Sequence, residues 1–177
     1  MPLLSPVMNK FILHWGEMGA RWGVNRTVAQ VHALLYLSPK PLNAEEISKT
    51  LSVARSNVSN SLRELQSWGI IKTVHVLGDR RDHFESLKDV WQLFRVVMDE
   101  RKKREFDPTL AVLRECLSAL DKGHPSASYT KQQLGHMLEF FEAMTSCYEE
   151  SRRLPVSALQ KLVKLSGKAQ KLLKWVA

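Results

Sequence analysis

Short polar and cationic side chains between Ala54 and Ser67 are the residues best suited to chemistry in this sequence. Arginine can bind phosphate or guanine, and asparagine can hold adenine through two hydrogen bonds. At about 100° per residue, Ser56, Asn60 and Arg63 fall on one side of a helix. Such a surface can touch base edges and phosphates. The candidate contact residues on this helix are Arg55, Ser56, Asn57, Ser59, Asn60 and Arg63.

Each of these side chains also has an ordinary alternative role. Arg63 could be a solvated arginine paired with Glu64 or Glu46, and asparagine occurs on helices without reading bases. Arg55 lies only about 60° from the apolar side of the helix. A phosphate contact therefore suits Arg55 better than base readout.

The helix that carries these residues is predicted from its opposite side. Val58, Leu62 and Leu65 recur there at helical spacing, and Gly69 ends the helix because glycine adopts positive φ at little cost. Asn43 is an N-cap for the shorter preceding helix, AEEISKTL, and the connection is SVA. Two helices joined by a short turn, with the second longer and polar outside, are typical of a helix-turn-helix.

A β-hairpin is predicted immediately after this helix. IIKTVHV alternates as a strand, LGDRR forms the turn, and DHFES returns as a second strand. Arg80 and Arg81 would then lie on the turn, where they could contact phosphates or the minor groove. The ordinary alternative is a hairpin tip that charge keeps in solvent. Helix, hairpin and arginine-tipped turn together predict a winged helix-turn-helix that binds double-stranded DNA.

The rest of the chain reads as helix. Apolar residues recur at helical spacing over residues 9–22, and again from the N-cap Asn25 to Leu37. Further patterns follow over residues 87–121, where Asp107-Pro108 kinks or restarts the helix, over 130–152 and over 155–175.

We predict a mainly α fold made of two regions. A winged helix-turn-helix with a small β-hairpin wing occupies residues 9–86, and an all-helical dimerisation region occupies residues 87–177. A palindromic DNA site is normally read by a two-fold symmetric protein, so we expect a homodimer.

Composition narrows the class of partner. Lysine and arginine number 26 against 18 aspartate and glutamate, giving a net charge of +8 that favours a polyanion. The two cysteines form no C-x-x-C pair, the six histidines show no metal-ligand spacing, and no catalytic motif is present. We therefore expect neither an enzyme nor a metal or cofactor site. Without a secretory signal or an apolar run of about 20 residues, we expect a cytoplasmic protein.

Four sequence motifs occur in this order along the chain: LSPKPL, AEEI, SNVSNSLRELQSWG and GDRRDHF. Through them, residues 35–91 resemble the MarR-type winged helix regulators, most closely their GbsR branch. The resemblance implies a homodimeric transcriptional regulator with recognition at Arg55–Arg63 and minor-groove or phosphate contact at Arg80 and Arg81. It also implies that Asp79 orients an arginine. Some members of this branch respond to choline or glycine betaine, which implies a small-molecule effector.

One position departs from the pattern of this family. Ala54 stands where a serine or threonine N-cap is common, and we expect Ser52 or Ser56 to substitute in part.

The same residues fit other interpretations. The winged helix could dock a protein. Lysines at 161, 164, 168 and 171 could place a last helix on a membrane surface or add a DNA contact. The ordinary alternative for these lysines is the solvated face of a packed helix, and we expect no membrane partner. Trp15, Trp22 and Trp91 flank the joint between the two predicted regions, and could form an aromatic cage for a quaternary ammonium ligand. Their ordinary alternative is core packing. Cys116 could act as a redox switch, but it falls on an apolar stripe, so core packing is its ordinary alternative too.

Overall fold

The computed structural model describes residues 4–120 and 127–165. It is mainly helical, with one three-stranded antiparallel sheet, and so confirms the predicted fold class. The chain divides into two compact units, residues 1–96 and 97–177. The elements are α1 (Pro6–Arg21), α2 (Arg26–Leu37), β1 (Leu42–Asn43), α3 (Ala44–Leu51), α4 (Arg55–Ser67), β2 (Ile71–Val76), β3 (Asp79–Ser86), α5 (Val90–Arg101), a π-helical turn (Lys102–Phe106), α6 (Asp107–Leu120) and α7 (Ala127–Arg153).

Helices α1 and α2 pack closely because two glycines remove side chains between them. A Cβ added at Gly19 would lie 2.5 Å from the Ala29 Cβ, and one at Gly16 would lie 2.7 Å from the Gln30 Cγ. Glycine lowers helix propensity by about 1 kcal/mol relative to alanine. At these positions the loss of helix propensity accompanies the close approach of the two helices.

The helix-turn-helix forms as predicted, with α3 and α4 joined by residues 52–54. Asn43 caps α3 in a complete capping box. Its Oδ1 accepts from the Glu45 and Glu46 backbone amides, and the Asn43 backbone amide donates to the Glu46 carboxylate. Helix α4 ends before Gly69, whose φ is +73°. The buried side chains that join α2, α3 and α4 include Val31, Leu35, Ile47, Val58 and Leu65.

The wing is a hairpin whose strand β3 lies in the middle of the sheet, in the order β1–β3–β2. Phe84 of β3 pairs with Thr73 on one side and with Leu42 on the other. The turn is shorter than the predicted LGDRR, because only residues 77 and 78 lie outside the strands. Arg80 and Arg81 therefore belong to β3 and not to the turn, which corrects the prediction.

The second unit begins within α5, whereas the sequence pattern places the boundary between residues 86 and 87. The helix does not break at Asp107-Pro108. Instead, a π-helical turn over Lys102–Phe106 leads directly into α6. Pro108 cannot donate to a carbonyl four residues earlier, and a widened turn just before it accommodates the missing bond.

Helix α7 begins three residues before the predicted helix at Thr130. Residues 156–165 are also helical. The remainder of the helix predicted to reach Trp175 lies outside the described residues. Over residues 4–120 and 127–165, no helix is long and apolar enough to cross a membrane.

Candidate nucleic-acid interface

Helix α4 presents the predicted two-sided pattern. Val58, Ser61, Leu62 and Leu65 are buried on the inner side. The buried Ser61 hydroxyl donates to the Asn57 carbonyl oxygen at 2.8 Å, so this inward polar group is satisfied within the helix. On the outer side, Ser59 is only half-exposed, and the exposed candidates are Arg55, Ser56, Asn57, Asn60 and Arg63.

Arg63 and Asn60 are brought together on this outer side. The Arg63 guanidinium donates a hydrogen bond to the Asn60 Oδ1 one turn earlier, in place of the alternative pairing with Glu64 or Glu46. The same Oδ1 would be needed to hold adenine through two hydrogen bonds. Because an amide oxygen has two lone pairs, Asn60 can accept from Arg63 and still take part in the two hydrogen bonds to adenine.

The N-terminus of α4 lacks a side-chain cap. Ala54 has a cap-like backbone, with φ −58° and ψ 140°, but no hydroxyl or carboxylate to accept the free amides. Ser52 is in the left-handed region with φ 55°, and neither it nor Ser56 supplies the expected substitute hydrogen bond. The first amides of α4 therefore remain available to an anion, in the direction in which the helix dipole attracts one.

On the wing, Arg81 is held by two carboxylates. Its Nε and Nη2 donate to Asp79 at 2.9 and 2.5 Å, and its Nη1 lies 3.5 Å from Glu45 Oε2 on α3. Hydrogen bonding to Arg81 lowers the pKa of Asp79 well below its usual range, and hydrogen bonding to Asp79 raises the pKa of Arg81. Asp79 thus has the orienting position that the family resemblance implies.

Arg80, the next residue of the wing, is in a different situation. Its side chain is exposed, and it makes no ion pair within the part of the chain that the structure describes. Alternation along β3 places it on the opposite side of the strand from Asp79 and Arg81. Arg80 is therefore a cation without an ion-pair partner among the described residues, and Arg81 is a pre-oriented one.

Two polar residues that the sequence analysis did not single out fix this surface. Gln66 near the end of α4 donates to the Thr73 hydroxyl of β2 at 2.9 Å, which ties the helix to the wing. Lys88 donates to the carbonyls of Leu35, Tyr36 and Ser38 at 2.8 Å each. It thereby caps α2 from the segment that follows the wing, although burial lowers the pKa of Lys88. The role of Lys88 does not follow from local spacing, because Lys88 is about 50 residues from its acceptors.

The three tryptophans of the hypothetical cage have different surroundings. Trp15 stacks on Phe11 with 5.4 Å between ring centroids and contacts the His32 ring at 6.3 Å. Trp22 is 54 % exposed, and Trp91 is half-buried. Trp15 thus makes these ring contacts with neither Trp22 nor Trp91. The aromatic cage remains a hypothesis.

His32, beside Trp15, is a buried polar group of the first unit. Its Nε2 has no hydrogen-bond partner in the described residues. Burial, followed by the charge of Lys88, lowers the pKa of His32 to about 4. The imidazole is therefore neutral near pH 7.

The second unit contains a small cavity at the π-helical turn. Its volume is about 40 Å³, enough for a water molecule but well below that of a cavity that holds a benzene ring. It is lined by Met98, Lys102, Phe106, Met144, Thr145 and Tyr148. Cys116, expected on an apolar stripe, is exposed instead. Among residues 4–120 and 127–165, no group of three or more histidine, cysteine or acidic side chains is arranged to hold a metal ion.

The helix-turn-helix and wing are similar to a known protein family. Residues 22–82 match the MarR family model. Two relatives from Bacillus subtilis (strain 168) are similar: the putative HTH-type transcriptional regulator YvaV is 26 % identical over 94 residues, 53 % of each chain. The HTH-type transcriptional repressor OpcR is 27 % identical over 73 residues, 41 % of this chain and 40 % of the repressor. The chain thus spans about half the length, or less, of these curated relatives.

The fold has a solved counterpart that extends beyond the matched segment. A crystal structure of a transcriptional regulator aligns with 90 % of this chain and 99 % of its own, at a TM-score of 0.65 and 21 % identity. At that identity the likeness concerns the fold alone. Residues 22–82 of this chain therefore form a winged helix domain that is similar to the MarR family.

Proposed function

We propose that this protein is a sequence-specific, double-stranded DNA-binding transcriptional regulator and not an enzyme. The observation that carries the proposal is the outer side of α4, where exposed arginine and asparagine side chains lie beside an arginine-bearing wing. The family match over residues 22–82 and the two similar transcriptional regulators support the same function. They do not favour a protein-docking module or a membrane-surface adaptor.

In this proposal the parts of the surface have different tasks. Asn57, Asn60 and Arg63 face base edges in the major groove, with Ser56 and Ser59 as smaller polar contacts. Arg55 and the uncapped amides of α4 bind a phosphate. Arg80 and Arg81 reach the flanking backbone or minor groove, and Asp79 holds Arg81 ready for that contact.

We further propose a homodimer in which residues 9–86 bind DNA and residues 87–177 supply the dimerisation surface. Met137, Phe140 and Met144 recur on α7 at steps of three and four and are all exposed. An apolar stripe of this kind is the feature that a second copy would cover. Two recognition helices would then enter successive major grooves, about 34 Å apart. The resemblance implies a bacterial- or archaeal-type regulator, so we propose that the protein works in the cytoplasm.

The resemblance of residues 35–91 to the GbsR branch supports a more specific proposal about the family branch and the effector. We propose membership of that branch and control by a small-molecule effector such as choline or glycine betaine. Trp15, Trp22 and Trp91 are the candidate residues for a quaternary ammonium group, which aromatic faces attract. The change in affinity on adding either compound to the DNA complex would test this assignment separately from DNA binding.

The first experiment is fluorescence anisotropy with duplexes selected from a random library by the full-length protein. We expect one selected duplex to bind more tightly than its scrambled version, with a linear fall of log affinity against log salt. Arg63→Ala should weaken the selected duplex by about 1–3 kcal/mol and relax one base preference. Arg80→Ala should weaken both duplexes alike and reduce the salt slope by about one.

Arg114→Ala is the matched control. It removes the same charge from an exposed arginine of α6 that pairs with Glu142 at 2.7 Å. We expect wild-type affinity and salt slope for this variant. If the wild-type protein binds no duplex even at low salt, the proposal fails, and vesicles of anionic lipid would then test the adaptor function.

A further inference from the structure

The tip of the wing carries a leucine that no other described residue covers. Leu77 is fully exposed, with a relative accessibility of 104 %, and the adjoining Val76 is 40 % exposed. A single exposed leucine is common on protein surfaces. This one is unusual in its place, because it is the outermost residue of a hairpin that projects beside a candidate DNA-reading helix.

The turn itself does not require leucine at this position. Gly78 has a φ of +84°, whereas Leu77 is not among the residues with positive φ. A turn position with negative φ accepts most residue types, and only the position with positive φ favours glycine. A polar residue at 77 would form the same turn and would be better solvated. The apolar side chain therefore has no structural purpose within this hairpin.

The surroundings of Leu77 point to a polyanionic partner and not to an apolar one. Exposed Arg80 lies three residues away and makes no ion pair in the described part of the chain, and Arg81 is oriented by Asp79. An apolar tip flanked by arginine suits the DNA minor groove, where apolar side chains insert between base steps while cations follow the phosphates.

We propose that Leu77 enters the minor groove beside the site read by α4 and packs against a base step there. The proposal rests on the DNA-binding function above and adds a contact that does not depend on charge. Leu77 would favour flexible pyrimidine–purine steps, which open most easily. It would thus contribute sequence preference at a position that the arginines do not read.

Affinity and salt dependence separate this contact from the electrostatic ones. With the selected duplex, Leu77→Ser should weaken binding about tenfold and leave the salt slope unchanged, whereas Arg80→Ala lowers the slope. Leu77→Met, which keeps an apolar side chain of similar length, should bind within about twofold of wild type. Because Leu77 is fully exposed, its variants should unfold at the wild-type denaturant concentration, which excludes misfolding as the cause.

A base-stacking probe tests the geometry directly. We place 2-aminopurine at successive flanking steps of the selected duplex and expect one step to brighten with wild-type protein and Leu77→Met, but not with Leu77→Ser. Equal affinity and equal fluorescence for wild type and Leu77→Ser would overturn the proposal that Leu77 packs against a base step. A change in the self-association of Leu77→Ser without DNA would also overturn it, because Leu77 would then be a contact between copies. Failure of wild-type protein to bind any duplex would instead overturn the DNA-binding function.

Discussion

The two units of the molecule differ in how they bury apolar side chains. In the first unit, α2 is enclosed by α1, α3 and α4, and residues such as Val31, Leu35 and Ile47 have almost no contact with solvent. In the second unit, Leu110 and Leu113 are the buried hydrophobic residues among those the structure describes. Its longest helix, α7, exposes Tyr129, Met137, Phe140 and Met144.

The two units therefore obtain their stability from different sources. The first unit has a core of its own and presents polar and cationic residues outward, as the proposed DNA binding requires. The second has few buried apolar side chains among its described residues, and its surface pairs, such as Arg114–Glu142 and Arg152–Asp99, contribute little individually in water. We infer that the second unit gains its stability by burying apolar surface against another copy.

The largest expected effect is a cavity in the first core. Leu65 is 1 % exposed, so Leu65→Ala should lower the free energy of unfolding by about 3 kcal/mol, measured by urea denaturation. Leu77→Ala removes the same atoms from a fully exposed leucine and should change stability by less than about 0.5 kcal/mol. Similar losses in the two variants would mean that the exposed wing tip is covered in solution.

The second unit should respond to protein concentration. Phe140 is 60 % exposed, and Phe140→Ser should weaken the dimer by about 2 kcal/mol per buried ring, as seen by sedimentation equilibrium. Glu139→Ser, a change at the preceding exposed position of α7, is the control and should leave the association constant nearly unchanged. If Phe140→Ser associates as wild type does, the α7 stripe is not the dimerisation surface, and the comparison of the two units loses its explanation.

Local signals were enough to predict most of the first unit. Asn25 and Asn43 begin helices because their side chains accept the first free amides, and Gly69 ends one because its φ is positive. These effects span three or four residues and can be read from the chain. The inner face of α4 followed from the 3.6-residue period in the same way.

Contacts between distant residues could not be predicted. Strand β1 is two residues long and exists only through pairing with β3 some forty residues later. Lys88 acquires its role from the end of α2, and Arg81 its second carboxylate from Glu45. The burial of Cys116 was predicted wrongly for a related reason. An apolar stripe indicates which side of a helix is hydrophobic, but not whether other residues of this unit cover that side.

A buried histidine makes the first unit sensitive to acid. The unfolded chain binds a proton at His32 below about pH 6.5, whereas the folded protein does so only near the lowered pKa of about 4. The free energy of unfolding should therefore fall as the pH drops through this window, by about 2 kcal/mol at pH 5 relative to pH 7.

His32→Phe should abolish that part of the pH dependence, measured as the difference in urea stability between pH 7 and pH 5. His75→Gln removes an exposed histidine from the wing and should retain the wild-type difference. An unchanged difference in His32→Phe would show that acid acts on other groups of the unit.

The smallest expected effect concerns the one uncapped helix of the helix-turn-helix. Ala54 has φ −58° and ψ 140°, close to the −56° and 133° of Asn25, whose side chain caps α2. Ala54→Ser should therefore cap α4 without rearrangement and raise the free energy of unfolding by about 1 kcal/mol. The new hydroxyl would occupy an amide proposed to bind a DNA phosphate, so affinity should fall about two- to fivefold. A gain in stability with no loss of affinity would mean that alanine at this position does not serve DNA binding. The stability of the first unit would then be limited there for no functional reason.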